Sequence, residues 1–308
     1  DFCFTGCVIF EQSILIPLLE KIDGLVDIIL VDTEKMIPLR IAEHNTALEV
    51  HETVGYLETG NLSKISFQNV KKSKIFEFKP NDLTVSATWT FLSQRLHYLS
   101  GKKITILGAG NIGSKLALKL VECGAEVRLF RRDTYKGHHI SQGLNMIKPQ
   151  STIANIQYHQ NVLQASFMAD VLIGATSGYP IIDTDVIGCA NKNCLIVDLG
   201  KNNLTDGALK LAVEHHIEIY RADVAPALEA FIYEMLNVQN VLENTYGRRE
   251  LGYCSIVGGG YFGKKGEIVV KHLEKPTQVC GVSNGDGSLK RELNKEDQLN
   301  IDRLMKEY

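Results

Sequence analysis

The stretch KKITILGAGNIGSKLALKLVECGAEVRLFRRD, residues 102–133, decides the fold. An apolar run through Ile104, Ile106 and Leu107 leads into Gly108-Ala109-Gly110-Asn111-Ile112-Gly113. A helical pattern of Leu116, Leu118, Leu120 and Val121 follows, then Gly124 and a second apolar run, 127–130. Strand, glycine turn, helix and strand within about 30 residues is the setting in which G-x-G-x-x-G holds a dinucleotide pyrophosphate. Gly108 permits the tight turn, Gly110 lets the backbone approach the pyrophosphate, and Gly113 lets helix and strand pack closely. Asn111 and Ile112 complete the turn, where free N–H groups and the positive helix end favour an anion. The competing reading is an ordinary helix on a sheet with glycines used only for turns.

The second strand ends in Phe130-Arg131-Arg132-Asp133-Thr134. An NAD-binding unit usually places Asp or Glu there, about 20 residues after the glycines, to bind the ribose hydroxyls. Arg131 and Arg132 occupy that place instead. Two guanidinium groups suit the 2′-phosphate of NADP through forked, charge-assisted bonds, so NADP is expected over NAD. Asp133, two positions late, could still serve a ribose. The plain alternative is a pair of solvated surface arginines.

The chain has 308 residues, 44% hydrophobic and 22% charged, with a formal net charge of −3. That length suits two domains, and no basic excess suggests a nucleic-acid partner. Cysteines stand at positions 3, 7, 123, 189, 194, 254 and 280, without a CxxC pair. Reduced thiols and no metal site are expected. The longest apolar runs fall far short of the ~20 residues of a membrane helix. No leader pattern stands out, and a cytoplasmic protein without membrane or nucleic-acid partners is expected.

The fold expected is α/β in two domains, a Rossmann-type doubly wound parallel sheet and a smaller N-terminal α/β domain, with a C-terminal helix and hairpin extension. Residues 1–84 read as the N-terminal substrate or oligomerisation domain. Strands are expected at 3–10, 26–31, 65–67 and 75–78, and helices at 13–22 and 37–48. Lys79-Pro80-Asn81-Asp82 marks the boundary. Residues 85–224 form the NADP-binding domain, beginning with a helix at 85–99, with later strands at 156–159, 171–175, 195–199 and 217–220. Residues 225–308 hold a long helix at 225–244, which could return toward the first domain. Beyond it come a Gly-rich hairpin with strands 267–270 and 278–282, and a charged helical tail. The glycines at 258–266 fit turns, or an anion nest backed by Lys264 and Lys265.

Several of these pieces appear together elsewhere. Val85-Ser86-Ala87-Thr88 opens a helix just before Ser100-Gly101-Lys102-Lys103, and Ala169-Asp170-Val171-Leu172-Ile173-Gly174-Ala175-Thr176-Ser177-Gly178 forms a strand and loop. In that order they resemble the NADP domain of the shikimate dehydrogenase and glutamyl-tRNA reductase superfamily, over residues 85–228. The resemblance implies that Thr176, Ser177 and Gly178 line the nicotinamide pocket and that Phe130–Thr134 replaces the Asn-Arg-Thr cofactor clasp. Val197-Asp198-Leu199-Gly200-Lys201-Asn202 is similar to a turn in methylene-tetrahydrofolate dehydrogenases. The Ser-x-Ser, catalytic Lys and Asn-Thr-Asp-Gly elements of shikimate dehydrogenases are missing. So are the Ser-Thr-Cys-Asn-Arg motif of glutamyl-tRNA reductases and, in the first domain, the Tyr-x-x-x-Lys of the folate enzymes.

Ligands of open α/β sheets collect beyond the strand carboxyl ends, which selects loops 176–180 and 200–203 and the facing first domain. A hydride transfer needs a proton carrier there. Lys35, His44 and Lys201 are the candidates, with His51 and Asp198 near them; the competing roles are structural, solvated or capping. Cys3 or Cys7 as a nucleophile lacks an evident base. The function expected is an NADP-dependent oxidoreductase acting on a small polar metabolite in an interdomain cleft, with a homodimer as the candidate assembly. The alternatives are a non-catalytic dinucleotide-binding regulator or scaffold, and a transferase using another nucleotide.

Overall fold

The computed structural model describes residues 3–9, 12–34, 39–41, 46–48, 62–258 and 260–308. They fall into two compact units, 1–229 and 230–308.

The first unit begins with α1 (Gln12–Ile22), β1 (Ile28–Asp32), β2 (Leu39–Ile41), β3 (Thr46–Leu48), α2 (Leu62–Asn69), β4 (Lys74–Phe78) and α3 (Pro80–Leu96). β1 and β4 pair in parallel, Ile28 opposite Lys74, over a small core of Leu15, Leu19, Ile29, Val31 and Val70. Four expectations are corrected here. Residues 3–9 form no strand. The expected helix over 37–48 contains two short antiparallel strands, β2 and β3. Ile65–Phe67 lies inside α2 rather than in a strand. The helix expected to begin at Val85 begins earlier, inside the 79–82 cluster: Pro80 occupies the first turn of α3, where a missing N–H costs nothing.

The large sheet follows through β5 (Lys103–Leu107), α4 (Asn111–Glu122), β6 (Glu126–Phe130), α5 (Thr134–Ile147), β7 (Ile156–His159), α6 (Val162–Ser166), β8 (Val171–Gly174), α7 (Thr184–Cys189), β9 (Leu195–Asp198), α8 (Asp206–Glu214) and β10 (Ile219–Arg221). All six strands are parallel, in the order β10-β9-β8-β5-β6-β7. β8 and β9 are buried throughout, as the apolar runs Val171–Ile173 and Leu195–Val197 require of strands covered on both faces, and β9 ends on buried Asp198. One hydrophobic layer gathers Leu92 of α3 with Leu116 and Leu120 of α4; the other gathers Leu172 and Ile196 with Val186 of α7 and Ala208 of α8. The order reverses between β5 and β8, which opens a crevice above their carboxyl ends.

The boundary between the units falls inside α9 (Ala225–Thr245). The second unit adds β11 (Gly247–Glu250), β12 (Ser255–Gly258), β13 (Ile268–Val270), β14 (Val279–Val282) and α10 (Lys295–Glu307). The strands expected at 267–270 and 278–282 pair antiparallel as β13 and β14, and β11 and β12 extend them into a four-stranded mixed sheet in which β12 and β13 run parallel. Ile256, Ile268, Val270, Val282 and Leu304 form its core. At the end of the glycine segment the Lys264 N–H donates to Glu267, which also takes a forked pair from Arg248. Among the described residues no helix is long and apolar enough to cross a membrane.

Candidate dinucleotide site

The three glycines of the β5–α4 turn have different surroundings. Gly108 has φ +123°, and a Cβ there would lie 2.4 Å from the Ala175 carbonyl oxygen. The turn therefore lies against the chain leaving β8, an approach that only glycine allows. At Gly113 a Cβ would lie 2.1 Å from the Gly108 carbonyl oxygen, so the first turn of α4 folds directly onto the loop before it. At Gly110, the N-cap of α4, a Cβ would meet nothing within 4 Å. The space is open where a phosphate would approach the helix N-terminus, and Asn111, Ile112 and Gly113 supply the first helical amides. The cradle fits a pyrophosphate.

Arg131 and Arg132 follow the end of β6. Arg131 donates through Nη1 to the Ala109 carbonyl, and its buried Nε has no partner. The Tyr158 hydroxyl donates to the Arg131 carbonyl at 3.0 Å. Arg132 is exposed and lies 5.0 Å from the centre of the Tyr179 ring, a cation–π contact between the end of β6 and the loop after β8. One guanidinium thus leans on the glycine turn and the other spans the crevice. Asp133 is the N-cap of α5, where one carboxylate oxygen accepts from the Lys136 N–H at 3.0 Å.

Thr176, Ser177 and Gly178 form the loop after β8. The Thr176 hydroxyl lies 2.7 Å from the Tyr179 carbonyl, and the Gly178 N–H donates to the Thr176 carbonyl at 2.9 Å. Ser177 and Gly178 are exposed at its tip. The turn after β9 packs on this loop. A Cβ at Gly200 would lie only 1.8 Å from the Thr176 carbonyl oxygen. Lys201 and Asn202 both adopt left-handed backbone, each with φ 58°, and both are exposed. This reverses the chain and turns Asn203 inward, fully buried. Beside the turn a pocket of about 630 Å³ sets Asp198, Asp206 and Arg221 against Leu204, Leu209 and Ile219.

Among the N-terminal elements, Glu34 follows β1 and accepts from the Asn81 N–H at 2.7 Å. Lys115 of α4 pairs with Asp82 and, at 3.5 Å, with Glu34. The hydrogen bond to Asp82 foremost holds the Lys115 ammonium above its usual pKa. Lys35, His44 and His51 lie outside the described residues, so the structure does not locate them. Cys3 and Cys7 are exposed free thiols.

Sequence reasoning selected loops 176–180 and 200–203 without singling out Tyr179 or Asn203, and it missed the Lys115 cluster. Asn203 stands in the polar string Lys-Asn-Asn-Leu, where nothing local tells which asparagine turns inward. The Lys115 cluster joins three elements that are remote in sequence.

Residues 103–184 match the family model described as "NADP oxidoreductase coenzyme F420-dependent". Glutamyl-tRNA reductase of Campylobacter jejuni (strain RM1221) is 25% identical over 93 residues, covering 30% of this chain and 22% of the reductase. The match thus spans about a fifth of that relative. Among solved structures, the dipicolinate synthase chain from Bacillus halodurans aligns over 70% of this chain and 80% of its own, at 17% identity and a TM-score of 0.39. Quinate dehydrogenase from Corynebacterium glutamicum, in complex with NAD, aligns over 44% and 50%, at 18% identity and a TM-score of 0.35. The six-stranded parallel sheet with its glycine turn is an NAD(P)-binding Rossmann domain of dehydrogenase type, distantly similar in sequence to glutamyl-tRNA reductase.

Proposed function

We propose that the chain is an NADP-dependent oxidoreductase that passes a hydride to or from a small polar metabolite. The observation that carries this reading is the arginine pair at the end of β6, with Arg131 laid against the glycine turn where an NAD-type carboxylate would otherwise stand. Arg131 and Arg132 hold the 2′-phosphate, the N-terminus of α4 holds the pyrophosphate, and loop 176–178 borders the nicotinamide. The bound nicotinamide supplies or takes the hydride; the chain binds, orients and excludes water. The pocket of about 630 Å³ beside Asp198, within the size range of small-molecule sites, supports a small substrate with polar groups. Lys201, at the rim of the nicotinamide loop, and Lys35 and His44 of the first domain are the proposed proton carriers.

Calorimetric titration with NADPH and NADH tests the cofactor assignment. NADPH is expected to bind more tightly, and equal affinities reject it. Turnover in the presence of NADPH and pooled metabolites separates an enzyme from a binding protein, for which NADPH would bind and never be consumed.

A further inference from the structure

We propose that Asn203 is a positioning residue that sets the nicotinamide loop; the inference rests on the cofactor reading above. Asn203 is fully buried and touches both loops that border the nicotinamide half of the crevice. Its Oδ1 accepts from the Thr176 N–H at 3.0 Å and lies within hydrogen-bonding reach of the Thr176 hydroxyl. Its Nδ2 donates to Asp198 Oδ1 at 2.6 Å. Its backbone carbonyl accepts from the Ile181 and Ile182 N–H groups, at 2.8 and 2.9 Å, so one residue ties down both ends of loop 176–182.

A neutral amide fits this post and a carboxylate does not. The Thr176 side presents donors and the Asp198 side an acceptor, so the linking side chain must accept at one end and donate at the other. An aspartate would set a second carboxylate within hydrogen-bonding distance of buried Asp198, a like-charge contact that disfavours ionisation of both. Two glycines make room for the amide. A Cβ at Gly174 would lie 2.6 Å from the Asn203 Cβ, and one at Gly200 would lie 2.6 Å from its Nδ2. Chain reversal at Lys201 and Asn202, close approach at Gly174 and Gly200, and the amide bonds converge on one rigid support beneath Thr176. The adenosine half rests mainly on the β5–α4 turn and the end of β6, which reach this loop only through Gly108 beside Ala175 and Arg132 over Tyr179, so the support acts chiefly on the nicotinamide end.

The test compares NADPH with 2′,5′-ADP, which lacks the nicotinamide half, by calorimetry on the full chain. Nicotinamide fluorescence of bound NADPH is read in parallel. Parent binding of 2′,5′-ADP checks the cofactor reading first; its absence sinks that reading and this one with it. With the parent binding both, Asn203→Leu is expected to weaken NADPH at least 10-fold and to diminish the fluorescence change, while 2′,5′-ADP stays within twofold. Parallel loss of both ligands, or NADPH binding unchanged, overturns the proposal. If Asn203→Leu does not fold, Asn203→Ala decides. It removes the same side-chain bonds to Thr176 and Asp198 without adding bulk, and it must show the same selective loss for the proposal to stand.

Discussion

Replacing Gly110 and Gly113 by alanine separates ligand binding from folding within a single turn. Gly110 sits at φ −92° and ψ −159°, which alanine adopts freely, and its Cβ would point into open space. Alanine gains about 0.4–1 kcal/mol from a less flexible unfolded chain and loses about as much as a poor N-cap. The net change in stability is expected to stay within about 0.5 kcal/mol. The methyl group, however, fills the approach to the helix N-terminus. Loss of one charge-assisted N–H bond to phosphate costs about 1.5–3 kcal/mol, or roughly a 10- to 150-fold rise in Kd for NADPH. At Gly113 the balance inverts. The new Cβ meets a backbone oxygen at 2.1 Å, one that cannot move without shifting the whole turn. Overpacking against rigid backbone, at about 3 kcal/mol or more, opposes a gain of about 1 kcal/mol from helix propensity, so a net loss of about 2 kcal/mol or more is expected. Urea denaturation and calorimetric titration of both variants make the comparison. If Gly110→Ala loses as much stability as Gly113→Ala, or binds NADPH as the parent does, the division of labour among the glycines is wrong.

Three further outcomes follow from particular contacts. Arg132→Ala should weaken NADPH by about 1–3 kcal/mol and leave NADH unchanged, whereas Arg131→Ala, which also frees the Ala109 carbonyl, should weaken both; calorimetry with each cofactor distinguishes them. Burial pushes the Cys194 thiol up to about 12, so at pH 8 native Cys194 should resist iodoacetamide while exposed Cys3, Cys7 and Cys280 react, as peptide mass spectrometry would reveal. Because the folded thiol keeps its proton longer than the unfolded one, whose pKa is 9.0, its contribution to stability is present below pH 9 and falls as pH rises toward 12. In the second unit, burial works to raise the Glu267 carboxyl, but bonds from Arg248 and the Lys264 N–H outweigh it and leave the group below its ordinary value. That contribution is present above the ordinary 4.5 and is lost as pH falls through the folded value. Arg248→Ala should therefore destabilise the unit clearly at pH 7 by stranding a buried carboxylate, and much less under acid; a urea series against pH that shows no such convergence rejects the account.

The residues from Lys103 to Phe130 were legible because their information is local. A parallel strand covered on both faces must be apolar throughout, and the turn after it must carry glycine wherever backbone meets backbone. The alternation of later strands and helices was legible for the same reason. Errors gathered where local pattern is ambiguous. Ile65–Phe67 and residues 37–48 are short apolar segments whose state depends on what they pack against. In the tail, the glycines spoke for turns. Nothing adjacent said that Gly247–Glu250 would pair with Ser255–Gly258, or that Glu267 would close the loop at Lys264.

The sequence by itself determined the glycine turn, the arginine pair after the second strand and the succession of elements that builds a doubly wound sheet. Only the tertiary structure decided which residues share the crevice. It placed Gly108 against Ala175 and Arg132 over Tyr179, and it chose Asn203 over Asn202 as the buried link between Thr176 and Asp198. The physical reason is range. Backbone preference and apolar periodicity act between near neighbours, whereas these contacts join the carboxyl ends of strands that become neighbours only once the sheet has closed.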